Sequence, residues 1–135
     1  MIIVIGTGPA GLAAAVAAAE RDQVVVIDQS ARFGGQYWRH AKGGTSFDPR
    51  AQEYFAKVLE NPRITRLSNS RVWSAEKKGN KFFIYALTDG VEQKIEADQV
   101  ILATGAYDRT IPFTGWTLPS VVTAGGAQAM LKANK

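Results

Sequence analysis

The residues of this sequence best suited to chemistry are glycines and one acid, and the chemistry they suit is ligand binding. Gly6, Gly8 and Gly11 stand in the run Gly6-Thr7-Gly8-Pro9-Ala10-Gly11. The first glycine permits a tight turn. The second, lacking a Cβ, lets the main chain approach a diphosphate, and the third lets a following helix pack against a sheet. Pro9 suits the first turn of a helix, where its missing N–H costs nothing. The free N–H groups of that turn, Ala10 included, and the helix dipole favour an anion. Asp28 lies twenty residues beyond Gly8, with Gln29 beside it. From there a carboxylate can accept hydrogen bonds from the ribose hydroxyls of an adenosine.

Such groups need a frame, and the flanking sequence supplies one. Ile2 to Ile5 is a short apolar, β-branched run that reads as a buried parallel strand. Leu12 to Arg21 is Ala-rich and helix-favouring, and Val24 to Ile27 is a second buried strand ending on Asp28. A glycine-rich turn alone is a weak signal. Strand, Gly-x-Gly-x-x-Gly, helix, strand and acid in this order predict a dinucleotide-binding βαβ unit.

Beyond Asp28, Gly34-Gly35 marks a turn or a close approach of main chain to ligand, with Gln36 next to it. Together, the Gly6–Gly11 loop, Asp28 and Gly34-Gly35-Gln36 resemble the N-terminus of the glutathione-reductase-like flavoproteins with two dinucleotide domains. The resemblance implies that the βαβ unit takes FAD and that Gly35 and Gln36 lie along it. Downstream, Asp48 and Pro49 predict a helix start, Tyr54, Phe55, Val58 and Leu59 share a helical face, and Asn61-Pro62 ends it. Ile64 to Leu67 reads as a third parallel strand. Arg71 to Glu76, Lys81 to Leu87 and Val91 to Ala97 read as strands joined at Gly79-Asn80 and Asp89-Gly90.

An antiparallel meander at about residues 71–97 is what the resemblance leads one to expect there. It implies that the main chain of Val72 meets the adenine, while Trp73 reads as packing. Val100 to Ala103, followed by Thr104 and Gly105, matches a second signature of those flavoproteins, a strand that ends close to FAD. The tail from Gly105 to Gln128 is similar to one branch, the α subunits of opine oxidases, hydroxyproline dehydrogenases, heteromeric sarcosine oxidases and hydrogen cyanide synthase. The expected fold is α/β: a Rossmann-like parallel sheet in spatial order 3-2-1-4 with the three-stranded meander inserted, and a last helix over Ala124 to Lys132.

Composition narrows the function classes. At 135 residues, 46% apolar and 21% charged, the chain is one domain's worth with an ordinary globular balance. The net charge of +4 is spread rather than striped, so neither nucleic acid nor a membrane surface is expected as a partner. No apolar run reaches the length of a membrane span, and the apolar N-terminus lacks the basic flank of a signal peptide. A cytoplasmic protein is the default. With no cysteine, disulfide reductase chemistry is excluded, and the single histidine, His40, cannot build a metal site alone.

Members of the resembling group close the FAD domain with a later strand ending in Gly-Asp, a dipeptide this sequence lacks. The expectation is therefore an incomplete FAD domain over residues 1–135, either a fragment, a truncated product or a piece completed by another polypeptide. No catalytic base stands out. Arg39 and His40 read as phosphate-binding or solvent-facing; Tyr107, Asp108 and Arg109 follow the Thr104-Gly105 turn at the carboxyl end of a central strand, where α/β sites form, and are only candidates for contact with the cofactor or a neighbouring domain. The implied function is the FAD-binding portion of an oxidoreductase acting on small amines or imino or amino acids, with catalysis shared with missing segments or with another polypeptide. A non-catalytic module for the ADP moiety of NAD or ATP is the competing reading. NADP is disfavoured, because Asp28 would repel a 2′-phosphate.

Overall fold

A computed structural model describes residues 1–39 and 48–134. Its elements run β1 (Ile2–Ile5), α1 (Pro9–Ala19), β2 (Val24–Ile27), α2 (Pro49–Glu60), β3 (Ile64–Leu67), β4 (Ser70–Lys78), β5 (Lys81–Thr88), β6 (Val91–Ala97), β7 (Gln99–Leu102) and α3 (Ala124–Asn134). Four parallel strands form one sheet in the order β3-β2-β1-β7, and β4-β5-β6 form the antiparallel meander. This is the expected arrangement. Ile5 pairs with Ile27 and with Leu102, and Ile27 with Leu67, so the strands end level. Gly6 and Asp28 therefore emerge side by side at the carboxyl edge, where open α/β sheets bind ligands.

The central strands β1 and β2 are apolar on both faces because both faces are covered, whereas the edge strand β3 exposes Thr65 and Arg66. Val4, Val24 and Val26 pack with Leu12, Ala15 and Ala19 of α1 and with Phe55 and Val58 of α2. Ile3 and Ile27 point the other way, onto Ile84, Ala86 and Ala97 of the meander. Alanines at Ala15 and Ala19 let α1 lie close to the sheet. Leu12, fully buried, is its one large anchor, and truncating it to alanine is expected to cost about 2–5 kcal/mol.

Local chemistry sets the element ends. Helix α1 starts at Pro9 rather than Leu12, since Gly8 is its N-cap and Pro9 fills the first turn, and it ends at Ala19 rather than Arg21. Asp48 caps α2 by accepting the Arg50 N–H at 3.0 Å, and Arg63 donates to the carbonyls of Ala19 and Glu20 at the end of α1. The buried stripe of α2 is Ala51, Phe55 and Val58. Leu59, expected on that face, is 54% exposed because it sits at the stripe's edge. Asp89 and Gly90, both at positive φ between the paired Thr88 and Val91, make the two-residue hairpin. In β4 the register slips between Val72 and Ser74, leaving Trp73 as a bulge.

Candidate functional site

At the carboxyl edge the glycine loop closes on itself. Gly6 has φ +101°, and a Cβ there would strike the Ala103 carbonyl, so β7 lies directly against the turn. A Cβ on Gly11 would strike the Gly6 carbonyl, so the third glycine lets helix α1 back onto its own loop. Gly8 differs. A Cβ built on it meets nothing within 4 Å, and its φ of −68° suits any residue. The small residue there keeps open a space at the N-terminus of α1. No side chain caps that helix, and the first N–H with an intrahelical acceptor is Leu12, bonded to Gly8 O at 3.0 Å. The first-turn N–H groups beside the exposed Ala10 thus have no acceptor within the helix, an arrangement that suits an anion.

Asp28 is tied to this loop. Its Oδ2 accepts from the Thr7 N–H at 2.6 Å and from the Thr7 hydroxyl at 2.7 Å, while Oδ1 accepts from the Ser30 N–H at 2.7 Å. Thr7 is 1% exposed, and its carbonyl in turn accepts the Gly34 N–H at 2.8 Å. One buried threonine therefore joins loop, acid and glycine pair. Spacing did not single it out, although a hydroxyl inside the loop facing an acid at the end of β2 was a usable signal.

A cavity of about 560 Å³ opens from this point. Six of the expected residues line it: Gly6, Asp28, Gln29, Val72, Thr104 and Gly105. Arg71, Trp73 and Tyr107 add to its wall. The Trp73 ring tilts against Tyr85 at 5.5 Å, in keeping with packing, yet the residue remains 59% exposed. Ser70, fully buried, donates its N–H to the Asp28 carbonyl at 2.8 Å and so sets the meander's first strand beside the acid. Sequence reading passed it over.

The other six lie next to the cavity rather than in its wall. Gly8, Pro9, Ala10 and Gly11 form the helix start, and Gly35, at φ +56°, packs against Gly8. Gln36 is exposed beyond it. Trp38 fixes this segment: its N–H bonds Gly34 O at 2.9 Å, its indole Nε1 donates to Asp48 at 3.0 Å, and its ring stacks on Tyr54. The Arg50 side chain, with smaller help from Trp38, holds the Asp48 carboxyl well below the usual carboxylate range. From the far end of the chain, Lys132 donates to the Tyr37 carbonyl at 2.7 Å.

The remaining expectations fare unevenly. Tyr107 reaches the cavity, whereas Asp108 accepts a hydrogen bond from the Thr123 hydroxyl at the start of α3. His40 and residues 42–47 lie outside the described residues. Among the described residues no group of acids and histidines could hold a metal, and no helix is long and apolar enough to cross a membrane.

A glycine loop at a helix N-terminus, an acid level with it on the next strand and an antiparallel insert define a Rossmann-like dinucleotide-binding domain. Comparison with known proteins makes this specific: the chain belongs to the pyridine nucleotide-disulphide oxidoreductase family, which it matches over residues 1–133. It is 38% identical to an opine oxidase subunit of Agrobacterium tumefaciens, over 98% of this chain and 29% of that protein. It is 37% identical to the hydrogen cyanide synthase subunit HcnB of Pseudomonas protegens, over 97% of this chain and 30% of the relative. The chain thus spans about 30% of the length of the curated relatives it matches. Among solved structures, L-proline dehydrogenase from P. horikoshii superposes with a TM-score of 0.80 at 24% identity, over 98% of this chain and 28% of that one. The opine oxidase and cyanide synthase subunits are of the types that the tail of the sequence resembles. Having no cysteine, the chain itself carries none of the disulphide chemistry in the family's name.

Proposed function

We propose that residues 1–135 are the FAD-binding portion of an FAD-dependent oxidoreductase that oxidises small amines or imino or amino acids of the opine or hydroxyproline kind. Bound FAD would supply the acceptor for a hydride from the carbon beside the substrate nitrogen. The residues of this chain bind and orient it. The open face of Gly8 and the α1 N-terminus, with Pro9, Ala10 and Gly11, take the diphosphate. Asp28 and Gln29 take the adenosine ribose, Val72 meets the adenine, and Gly35, Gln36, Thr104 and Gly105 follow the remainder.

The observation that carries this reading is the empty space at Gly8 beside a cavity whose wall includes Asp28 and Val72. The relatives' names favour amine and imino-acid substrates. Asp28, Arg71 and Tyr107 are the cavity's ionisable groups among the described residues, and Asp28 is already engaged. Substrate capture therefore falls to other segments or to a partner polypeptide, with the whole acting in the cytoplasm.

Titrating the purified chain with FAD, NAD, ADP and ATP side by side tests the proposal. FAD is expected to bind at least tenfold more tightly than NAD or ATP, about 1.4 kcal/mol. Equal affinities would point instead to a non-catalytic module for the ADP moiety. Failure to bind any of them would remove the loop's assigned role.

A further inference from the structure

We infer that helix α3 is a strap between the two sides of the site, and that Lys132 is the positioning residue joining it to the glycine-pair turn, so that ligand binding and α3 docking are linked. The linkage rests on the reading that the glycine loop takes a diphosphate. No described residue from Thr104 to Lys132 is buried, and none belongs to either apolar core. What fixes α3 is therefore found at its ends. At its start the Thr123 hydroxyl donates to Asp108 while accepting the Gly126 N–H at 3.0 Å, so one group both caps and ties the helix. A Cβ on Gly125 would strike the same carboxylate, which lies against the first turn. Asp108 directly follows Tyr107 of the cavity wall.

At the other end Lys132 Nζ donates to the Tyr37 carbonyl at 2.7 Å and stands 4.7 Å from the centre of the Tyr37 ring. Carbonyl and aromatic face thus attract the same cation. Tyr37 lies inside the turn that the Trp38 N–H closes onto Gly34 O, and Gly35 of that turn packs against Gly8. One tie of α3 therefore reaches the exit of β7, and the other reaches the turn that walls the Gly8 space. A ligand that needs Gly8 and Gly35 in this arrangement favours docked α3. By linkage, docked α3 favours the ligand by the same factor.

Hydrogen exchange of the α3 amides, measured on the full chain with and without saturating ADP, tests this. Without ligand, Lys132→Met should exchange them about two- to tenfold faster than wild type, the range of one net hydrogen bond, and Lys132→Arg should restore the slower rate. Unchanged exchange in Lys132→Met would overturn the strap. ADP should slow α3 exchange about twofold or more in wild type and in Lys132→Arg, but not in Lys132→Met. Slowing that persists in Lys132→Met would make the lysine a merely structural tie and end the inference. So would ADP that binds, by titration of the same sample, without slowing α3 at all. A wild-type chain that takes up no ADP would instead remove the diphosphate reading and the linkage with it, and the ligand-free comparison would then decide the strap alone.

Discussion

Gly35 rests against Gly8: a Cβ built on Gly35 would stand 3.2 Å from the Gly8 Cα. Two turns from different parts of the chain thus meet main chain to main chain, with no side chain between them. Gly35 occupies one side of Gly8, and the direction in which a Gly8 Cβ would point stays open. The wall facing the α1 N-terminus is therefore made of peptide groups, which suit a diphosphate better than bulky side chains do.

Gly8→Val should separate binding from folding. The φ of −68° accommodates a side chain, and the Cβ meets nothing. Stability is expected to stay within about 1 kcal/mol, the scale of an N-cap change. Affinity for ADP or FAD should fall at least tenfold, about 1.4 kcal/mol. A thermal melt and a titration on the same sample check both halves, and unaltered affinity would show that the ligand does not pass Gly8.

Gly35→Ala should do the opposite and strike the fold first. Its φ of +56° is a left-handed conformation costing an ordinary residue roughly 1–2 kcal/mol. The 3.2 Å contact also forces the Gly8 main chain to give way. Urea denaturation should show a loss of about 1–2 kcal/mol. Wild-type stability would mean that the two turns can part freely.

The sheet order was legible because each strand announces itself by local composition: Ile2–Ile5, Val24–Ile27 and Val100–Leu102 are uninterrupted apolar runs, and turn residues separate the meander strands. Positions in the glycine loop were legible for the same reason, since spacing alone orders them. What spacing does not encode is which side chain a polar group turns toward. Asp28 was read as facing outward to a ribose, yet most of its hydrogen-bonding capacity goes to Thr7 and Ser30. Trp38 and Asp48 escaped notice as a pair because their bond joins the glycine-pair turn to the cap of α2 ten residues on, and Leu59 was misplaced because helical periodicity blurs at a stripe's edge.

Asp28→Ala should consequently cost more than ligand affinity. It leaves the Thr7 N–H and hydroxyl without their acceptor in a site 1% exposed. An unsatisfied buried donor costs about 1–3 kcal/mol, so stability without ligand should drop by at least that much. Affinity for an adenosine nucleotide should fall roughly ten- to a hundredfold at the same time. Denaturation without ligand distinguishes the two effects. A variant as stable as wild type would mean that the Thr7 bonds contribute nothing net.

The pH dependence of stability should have two limbs set by one cluster. The Met1 amine touches Asp22 and Asp98 at 2.7 Å each, and Lys81 reaches the other oxygen of Asp98 at 2.6 Å. Lys81 first, then the amine, holds the Asp98 carboxyl down at about 2, below its ordinary 3.8. A depressed acid stabilises above its unfolded value, so this contribution is lost as pH falls from about 4 through 2. The amine is raised above 8.0, by Asp22 first and then Asp98. Its contribution is complete below about 8 and is lost as pH rises through the raised value. All these groups are well exposed, so both limbs should be shallow and should flatten further in high salt. Asp98→Asn removes the acid partner common to Lys81 and the amine. Melting temperature plotted against pH should then lose part of its slope at both ends, with the acid end affected more. If both limbs kept their wild-type slope, the cluster would have no part in the pH response.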